Sequence, residues 1–172
     1  MSRNMIRTSV SVLFFSMATQ GIAATGDAAL PGIRLDNGIE TFRIGCPGNP
    51  GQTTVDMNLC YGEMKAQVEA IKNKYLTAAR KRITGGSDKP AGQIRKELDA
   101  FDAENKAWDS LEEKAATATA IFWESGTLRG VMGADREIRL IELRIHNQWE
   151  NWLQYEDSTA TLLPEPKFDH EK

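Results

Sequence analysis

The stretch from Thr53 to Ile83 constrains the fold most, because it is a long and uninterrupted amphipathic pattern. Its apolar side chains recur at steps of four and three residues, the spacing that places them on one face of an α-helix. These side chains are Met64, Val68, Ile71, Tyr75, Ala79 and Ile83. Thr53 and Asp56 have the spacing of a capping box, in which the hydroxyl accepts a hydrogen bond from a free amide of the first turn. The pattern predicts one long helix that begins at this cap and buries the apolar face.

A second amphipathic pattern runs from Pro90 to about residue 123, after a glycine-rich breaker. Its stripe comprises Ile94, Leu98, Phe101, Asn105, Trp108, Leu111, Ala115, Ala118 and Phe122. An unbroken helix of this length would measure about 51 Å, whereas a compact domain of this size has a diameter of about 38 Å. Either the fold is elongated, or this helix breaks, most readily in the Ala-Thr run 115–120.

A third pattern follows the connector 124–133, with Asp135 as the predicted N-cap. Its apolar face comprises Ile138, Ile141, Ile145, Trp149 and Trp152. Long helices joined by short connectors, with no credible strands, predict an all-α fold: an antiparallel bundle of three, or four, long helices. The helical domain would span residues 46–156, after an irregular N-terminal arm at 24–45. We predict that the tail, residues 157–172, is mostly disordered.

The first 23 residues have the three-part layout of a secretory signal peptide. Arg3 and Arg7 precede an apolar run from Val10 to Ala24, which ends in small residues and is too short to span a membrane. We expect residues 1–23 to be absent from the mature protein, which would be periplasmic or secreted and free of the membrane. Loss of the two arginines moves the formal charge from −3 to −5. This acidic excess argues against nucleic acid and suits a cationic partner.

The chain has two cysteines, Cys46 and Cys60. Two cysteines in an exported protein most often form one disulfide. A bridge between them would close a loop of about 15 residues and contribute roughly 3 kcal/mol. It would also pin the Pro- and Gly-rich segment 47–52 to the start of the first helix. The alternative, a catalytic pair of thiols, has the wrong spacing, so we predict a structural disulfide.

The sequence contains no recognised catalytic or cofactor-binding pattern. Its histidines, His146 and His170, lack the set of ligands that a zinc site requires, and only Glu142 stands four residues before His146. The glycine pairs lie between helices, without the strand that precedes a phosphate-binding loop. A solvated charged face, rather than a pair of glycosidase carboxylates, explains Glu112, Glu113 and Glu124. We therefore predict no metal, no cofactor and no enzymatic activity, but a surface that binds a partner.

The segment 53–60, TTVDMNLC, resembles the opening signature of the LprI-type lysozyme-inhibitor family, a group of small exported helical domains. The family pattern is an upstream Cys, a Thr, a Met-Asn pair and a second Cys, matched in order by Cys46, Thr53, Met57, Asn58 and Cys60. Weaker matches within residues 44–150 are Ile71, Tyr75, Asn105, Trp108, Gly126, Thr127, Leu140 and Arg144. The chain departs from the pattern at Val68 and Lys72, where the family has Asp and Asn. It also lacks the family's second cysteine pair, whose places are Ala116 and, approximately, Arg136.

The resemblance implies an inhibitor of lysozyme, or of another cationic cell-wall hydrolase, that acts by stoichiometric binding. An exported acidic scaffold is compatible with fast, electrostatically steered association with such a target. The candidate contact segments are the disulfide loop 47–52 and the connector 124–133. We favour the connector, because a binding hot spot needs apolar anchors and it carries Leu128, Val131 and Met132. The alternative function is an envelope structural or assembly factor that acts through helix–helix association.

Overall fold

Three long helices and three short strands form the described part of the chain, residues 31–48, 52–85, 89–155, 157 and 159–171 of a computed structural model. In chain order the elements are β1 (Ile33–Asp36), β2 (Ile39–Ile44), α1 (Thr54–Thr84), α2 (Ala91–Phe122), α3 (Arg129–Trp152) and β3 (Glu165–His170). The predicted signal peptide, residues 1–23, lies outside the described residues. None of these helices is both long enough and apolar enough to cross a membrane.

Helix α1 confirms the helix predicted from the longest pattern. The Thr53 hydroxyl accepts a hydrogen bond from the Asp56 amide at 3.1 Å, and the Asp56 carboxylate accepts one from the Thr53 amide at 3.1 Å. At the other end, the amide of Gly85 donates to the carbonyl of Lys81 at 2.8 Å. All six residues of the predicted apolar face are buried. The helical period was therefore sufficient to locate the core face of α1.

Helix α2 is continuous over 32 residues, so the break expected at 115–120 is absent and the elongated alternative holds. The Ala-Thr run forms a surface of small side chains on which α3 packs closely. A Cβ atom placed on Gly133 would lie 3.1 Å from the carbonyl oxygen of Ala116 and 3.3 Å from the Cβ of Ala120. The small residues that suggested a weak point in the helix are thus the place where a neighbouring helix approaches.

The predictions for the α2 face and the α3 start need correction. On α2 the buried residues are Phe101 and Glu112, whereas Leu111 and Phe122 of the predicted stripe are exposed. Helix α3 begins at Arg129, so the predicted N-cap at residue 135 lies inside the helix. Two of the three glycines that suggested a longer connector, Gly130 and Gly133, lie in the first turns of α3, where they permit close packing against the other helices.

Contacts between the helices establish their relative directions. Two contacts join α1 to α3 at nearly equal spacing along both helices: Lys65 with Glu137 and Arg82 with Trp152. These two helices therefore run in the same direction. Contacts between α2 and α3 follow the opposite order: Asp109 with Arg144 and Glu104 with Gln148. The three helices form an up-down-up bundle, in which the start of α1, the end of α2 and the start of α3 share one end.

A three-stranded sheet in the order β1-β2-β3 shows that the fold is not strictly all-α. Strands β1 and β2 form an antiparallel hairpin in place of an irregular arm. Its turn is Asn37-Gly38, with positive φ angles of 50° and 80°, as a two-residue hairpin turn requires. Strand β3 pairs with β2 in parallel. The prediction of a mostly disordered tail is therefore wrong for residues 165–170.

The sheet belongs to the same hydrophobic core as the helices. Phe42 on β2 is fully buried, and its ring lies 6.0 Å from the ring of Phe168 on β3 and 6.4 Å from that of Tyr75 on α1. Glu40, on the same face of β2, accepts hydrogen bonds from the Lys74 ammonium at 2.5 Å and the Tyr75 hydroxyl at 3.1 Å. Burial and the adjacent carboxylate raise the pKa of Tyr75, so its hydroxyl remains a donor.

Candidate functional site

One end of the bundle exposes large apolar side chains. The first turns of α1, the last turn of α2 and the connector to α3 contribute Val55, Leu59, Ile121, Phe122, Trp123 and Leu128, which are 36% to 83% exposed. Of the eleven large hydrophobic side chains that are exposed in the described residues, these six share one end of the molecule. Isolated exposed hydrophobics are normal, whereas concentrated ones mark interaction sites. We call these six residues the apolar end.

The connector that carries part of the apolar end, residues 123–128, is a hydrogen-bonded turn. The amide of Glu124 donates to the carbonyl of Ile121 at 3.0 Å, and the amide of Gly126 donates to that of Trp123 at 2.9 Å. The rings of Phe122 and Trp123 meet edge to face, with centroids 6.1 Å apart. The backbone bonds and the ring contact hold the two aromatic side chains in a defined orientation toward solvent.

Close helix packing supports the apolar end. A Cβ atom placed on Gly130, in the first turn of α3, would lie 2.6 Å from the side-chain oxygen of Asn58 on α1. The amide nitrogen of the same Asn58 side chain donates to the carbonyl of Thr54 at 2.7 Å. Gly133 of α3 makes a similar close contact with α2. These contacts bring the ends of all three helices close together. A rigid support of this kind lowers the ordering cost of binding.

The predicted disulfide joins Cys46 to Cys60, with the Cα atoms 5.4 Å apart. Both cysteines pack against the hydrophobic core. Just before the bridge, the side chain of Gln67 on α1 donates to the carbonyl of Gly45 at 2.7 Å and accepts from its amide at 3.1 Å. The disulfide and the two hydrogen bonds of the Gln67 side chain fix the position of the chain between β2 and α1. Residues 49–51 of the predicted loop lie outside the described residues.

Of the three predicted contact residues, only Leu128 belongs to the apolar end. Val131 is 6% exposed, so the expectation that it finds no core is wrong. Met132 is half-buried. Both lie in α3, which begins earlier than the sequence pattern indicated. The aromatic residues Phe122 and Trp123 are exposed at this end instead. The sequence carried a signal for them, since two aromatic residues adjoin a glycine-containing turn.

A buried polar network joins the three helices near their middle. Arg144, which is 1% exposed, donates to the carboxylate of Asp109 at 2.7 Å, to that of Glu112 at 3.1 Å and to the side-chain oxygen of Asn105 at 2.8 Å. From α1, the ammonium of Lys72 lies 3.7 Å from the Glu112 carboxylate. The structure thus brings together Asn105 and Arg144, two of the weaker matches to the family pattern.

The network joins α2 to α3 through a buried ion pair. Burial raises the pKa of the Glu112 carboxyl, and the neighbouring Lys72 and Arg144 offset only part of that rise. The network borders an open cleft of about 390 Å³ between α1 and α2. The other two carboxylates considered from the sequence, Glu113 and Glu124, are exposed and belong to no such cluster. Glu112 is engaged with Arg144 and fixes the position of α2.

The two histidines lie in different environments. His146 lies beside Trp149, with ring centroids 5.6 Å apart. His170 on β3 pairs with the carboxylate of Glu142 on α3 at 2.8 Å, and this hydrogen bond raises the pKa of the histidine. Glu142, which precedes His146 by four residues, is therefore the partner of the other histidine. Within the described ranges, no three His, Cys, Asp or Glu side chains are placed to hold a metal ion.

Comparison with known proteins gives one match. The model of the family described as "Lysozyme inhibitor LprI" matches residues 46–147. No curated protein and no solved structure matches the chain. The matched stretch contains the disulfide, the whole of α1 and α2, the polar network and every residue of the apolar end. The strands lie outside it.

Proposed function

Because this chain belongs to the LprI lysozyme-inhibitor family, we propose that it inhibits a lysozyme or a related peptidoglycan hydrolase by binding it stoichiometrically. The observation that carries the proposal is the family match over residues 46–147, since these residues hold the bridge and almost all of the helical bundle. In this proposal the chain is a periplasmic or secreted protein-binding module without a cofactor. A disulfide is stable in both compartments.

The apolar end is the proposed contact surface for the hydrolase. An enzyme that cleaves a polymer binds it in a concave cleft, so an inhibitor needs an element that projects. The 32-residue helix α2 and its connector supply such an element, because Phe122 is 83% exposed at the end of the bundle. Aromatic side chains with a fixed backbone are the anchors that most often dominate protein–protein binding. Trp123 and Leu128 extend the same surface.

Charge contributes to association more than to anchoring in this proposal. The full chain has a formal charge of −3, and the apolar end itself consists of uncharged side chains. A cationic hydrolase would be steered toward the acidic surface at long range. The apolar side chains would then supply the short-range contact. Raising the salt concentration should therefore slow association more than it speeds dissociation.

Lysis of a cell-wall suspension by a cationic lysozyme tests the proposal. The wild-type protein should slow clearing in proportion to its amount, up to one equivalent of enzyme. Replacing the exposed pair, Phe122→Ser with Trp123→Ser, should raise the Kd by about thirtyfold or more, because one hot-spot aromatic contributes about 2 kcal/mol or more and the contributions of neighbouring hot spots do not add. The matched control is Leu143→Ser, since Leu143 is 55% exposed but lies in the middle of α3.

Three outcomes separate the components of the proposal. Complete lysis in a large molar excess of wild-type protein removes the proposed inhibition for that enzyme. Equal inhibition by the wild type and the Phe122/Trp123 variant retains the function and rejects the apolar end as the contact surface. Absence of inhibition, combined with a stable complex with another helical envelope protein, would favour the assembly role.

A further inference from the structure

The strand β1 lies at an edge of the sheet and exposes apolar side chains. Its neighbour on one side is β2, and all four of its residues are exposed. Ile33 is 47% exposed and Leu35 is 65% exposed, although both side chains lie on the face of the sheet that turns toward the helices. Exposed edge strands with apolar side chains readily pair with another strand.

The hairpin register determines which backbone groups of β1 point outward. The amide of Arg43 donates to the carbonyl of Gly32 at 3.0 Å, so residue 32 belongs to the set that bonds to β2. Bonded residues alternate along an antiparallel strand, and Arg34 and Asp36 therefore belong to the same set. The N–H and C=O groups of Ile33 and Leu35 point to the open edge, away from β2.

One antiparallel register makes this edge complementary to itself. If the Leu35 residues of two copies form a hydrogen-bonded pair, Arg34 of each copy lies opposite Asp36 of the other. Those positions are the non-hydrogen-bonded pairs, in which side chains are closest, so each opposite-charge pair is favourable. The two Leu35 side chains meet on the apolar face of the extended sheet.

Neighbouring registers are disfavoured by the same charges. A shift by two residues in one direction places Arg34 opposite Arg34 of the other copy, and a shift in the other direction places Asp36 opposite Asp36. Like charges directly opposite each other destabilise a strand pair. A shift by one residue would send the apolar side chains to the opposite face. The short strand Ile33–Asp36 thus specifies a single pairing with itself.

We propose that two copies of this protein associate through antiparallel pairing of their β1 strands, which gives a continuous six-stranded sheet. The pairing is centred on Leu35 and flanked by two ion pairs between Arg34 and Asp36. This association is independent of the proposed inhibition, because β1 lies outside both the family-matched residues and the apolar end. The edge opposite β1 is strand β3, which packs against α3.

Sedimentation velocity over a concentration series tests the pairing with charge-swapped variants of the full mature protein. The wild type should form a dimer. Arg34→Asp and Asp36→Arg each place like charges at both symmetric positions, so each variant alone should show a dimerisation Kd at least about tenfold higher. An equimolar mixture of the two variants should restore the dimer, because every Asp then faces an Arg. The double variant Arg34→Asp/Asp36→Arg should also dimerise like the wild type.

Matched controls carry the same charge changes on exposed residues of α2. Arg95→Asp and Asp99→Arg should leave the dimer unchanged. A wild type that stays monomeric at every concentration overturns the proposal. If the Ile33 and Leu35 amides of that monomer are protected from hydrogen exchange, the chain's own residues, or another peptide, cover the edge. A dimer of unchanged strength in both single variants, or a mixture that fails to restore the dimer, overturns it as well.

Discussion

The two faces of α3 show two ways of joining helices. Toward α1, α3 packs in a hydrophobic core whose buried members among the described residues include six from α1 and, from α2, Phe101, with Leu98 partly buried beside it. Toward α2, α3 presents Arg144, Gln148 and Gly133, which meet carboxylates and alanines. The core thus lies between α1 and α3, and ion pairs and close small-residue contacts attach α2. At its final turn, α2 exposes the apolar side chains of Ile121 and Phe122 to solvent.

Replacing Arg144 by Met should have the largest effect on this arrangement. It removes the hydrogen-bonded partner of Glu112, which is 4% exposed, and leaves the Lys72 ammonium at 3.7 Å as the remaining opposite charge. Removal of one member of a buried ion pair costs about 3–5 kcal/mol, and we expect a loss near the lower value because Lys72 stays in place. Urea unfolding followed by helical circular dichroism measures this loss in the free energy of unfolding. On the α1 face, Ile141→Val should cost only about 0.5–1.5 kcal/mol, because it removes one methylene from a core that retains its packing.

A second substitution separates charge from packing. Adding Glu112→Leu to Arg144→Met should recover part of the lost stability, since replacing both buried partners by apolar residues is often close to neutral. If Arg144→Met costs less than the Ile141→Val control, α2 is not held by the ion pairs. The contrast between the two faces of α3 would then be wrong.

Removal of the disulfide should have the next largest effect, and it should act on the α1 side alone. The double variant Cys46→Ser/Cys60→Ser loses the closure of a loop of about 15 residues, which contributes roughly 3 kcal/mol. A lower Tm should accompany faster hydrogen exchange in residues 42–48 and 52–60, with unchanged exchange in α2. Reduction of the wild type should give the same fall in Tm and no further fall in the variant. An unchanged Tm would falsify the structural role of the bridge.

The same contrast explains which elements the sequence could predict. Helix α1 follows its pattern because every apolar position of the stripe, from Met64 to Ile83, packs in one core. Helix α2 does not follow its predicted stripe. The residue that it buries against α3 is Glu112, which the apolar periodicity places on the solvent face. Its stripe residue Phe122 points to solvent instead. Binary patterning located this helix, but it cannot identify the buried face of a helix that is held by an arginine more than 30 residues away in the chain.

The site and the sheet were predictable to different extents. Both candidate segments adjoin the end of the bundle where apolar side chains are exposed, whereas Val131 is buried. That this end contacts a partner stays a prediction. Strand β3 was missed because its only large apolar residue is Phe168, and its partner strand lies more than 120 residues earlier. A single apolar residue cannot show the alternation of apolar and polar side chains that predicts a strand. The strand is recognised from its tertiary partners, the parallel pairing with β2 and the contact of Phe168 with Phe42.

Two glycines at the start of α3 allow the helix contacts to be tested individually. Gly133→Val forces a side chain against the Ala116 carbonyl, which is backbone and cannot move aside, so we expect a loss of about 1–3 kcal/mol. Gly130→Ala meets the side-chain oxygen of Asn58, which can rotate, and gains helix propensity. Its net effect should stay within about 0.5 kcal/mol. Thermal unfolding compares the two, and equal losses would contradict the close α2–α3 contact.

The ion pair between His170 and Glu142 should make the smallest of these contributions to the free energy of unfolding. Its contribution should depend on pH near neutrality. The pair raises the pKa of His170 above its usual value, so its contribution to stability is complete below about pH 6.5 and is lost as the pH rises through the raised pKa. Asp135, Arg139 and Glu171 also surround the pocket of His170. Because the imidazole is 41% exposed, the contribution should stay below about 1 kcal/mol.

Titration of the His170 ring by NMR measures this pKa directly. Glu142→Gln should return the pKa toward the ordinary value of a histidine, because the hydrogen bond to Glu142 is the largest cause of the rise. Unfolding experiments on His170→Gln should show that the difference in stability from the wild type shrinks as the pH rises. A wild-type pKa equal to that of the Glu142→Gln variant would mean that β3 is held by Phe168 and its backbone bonds alone. That result would assign the attachment of β3 to the hydrophobic core and the sheet rather than to its ion pair with α3.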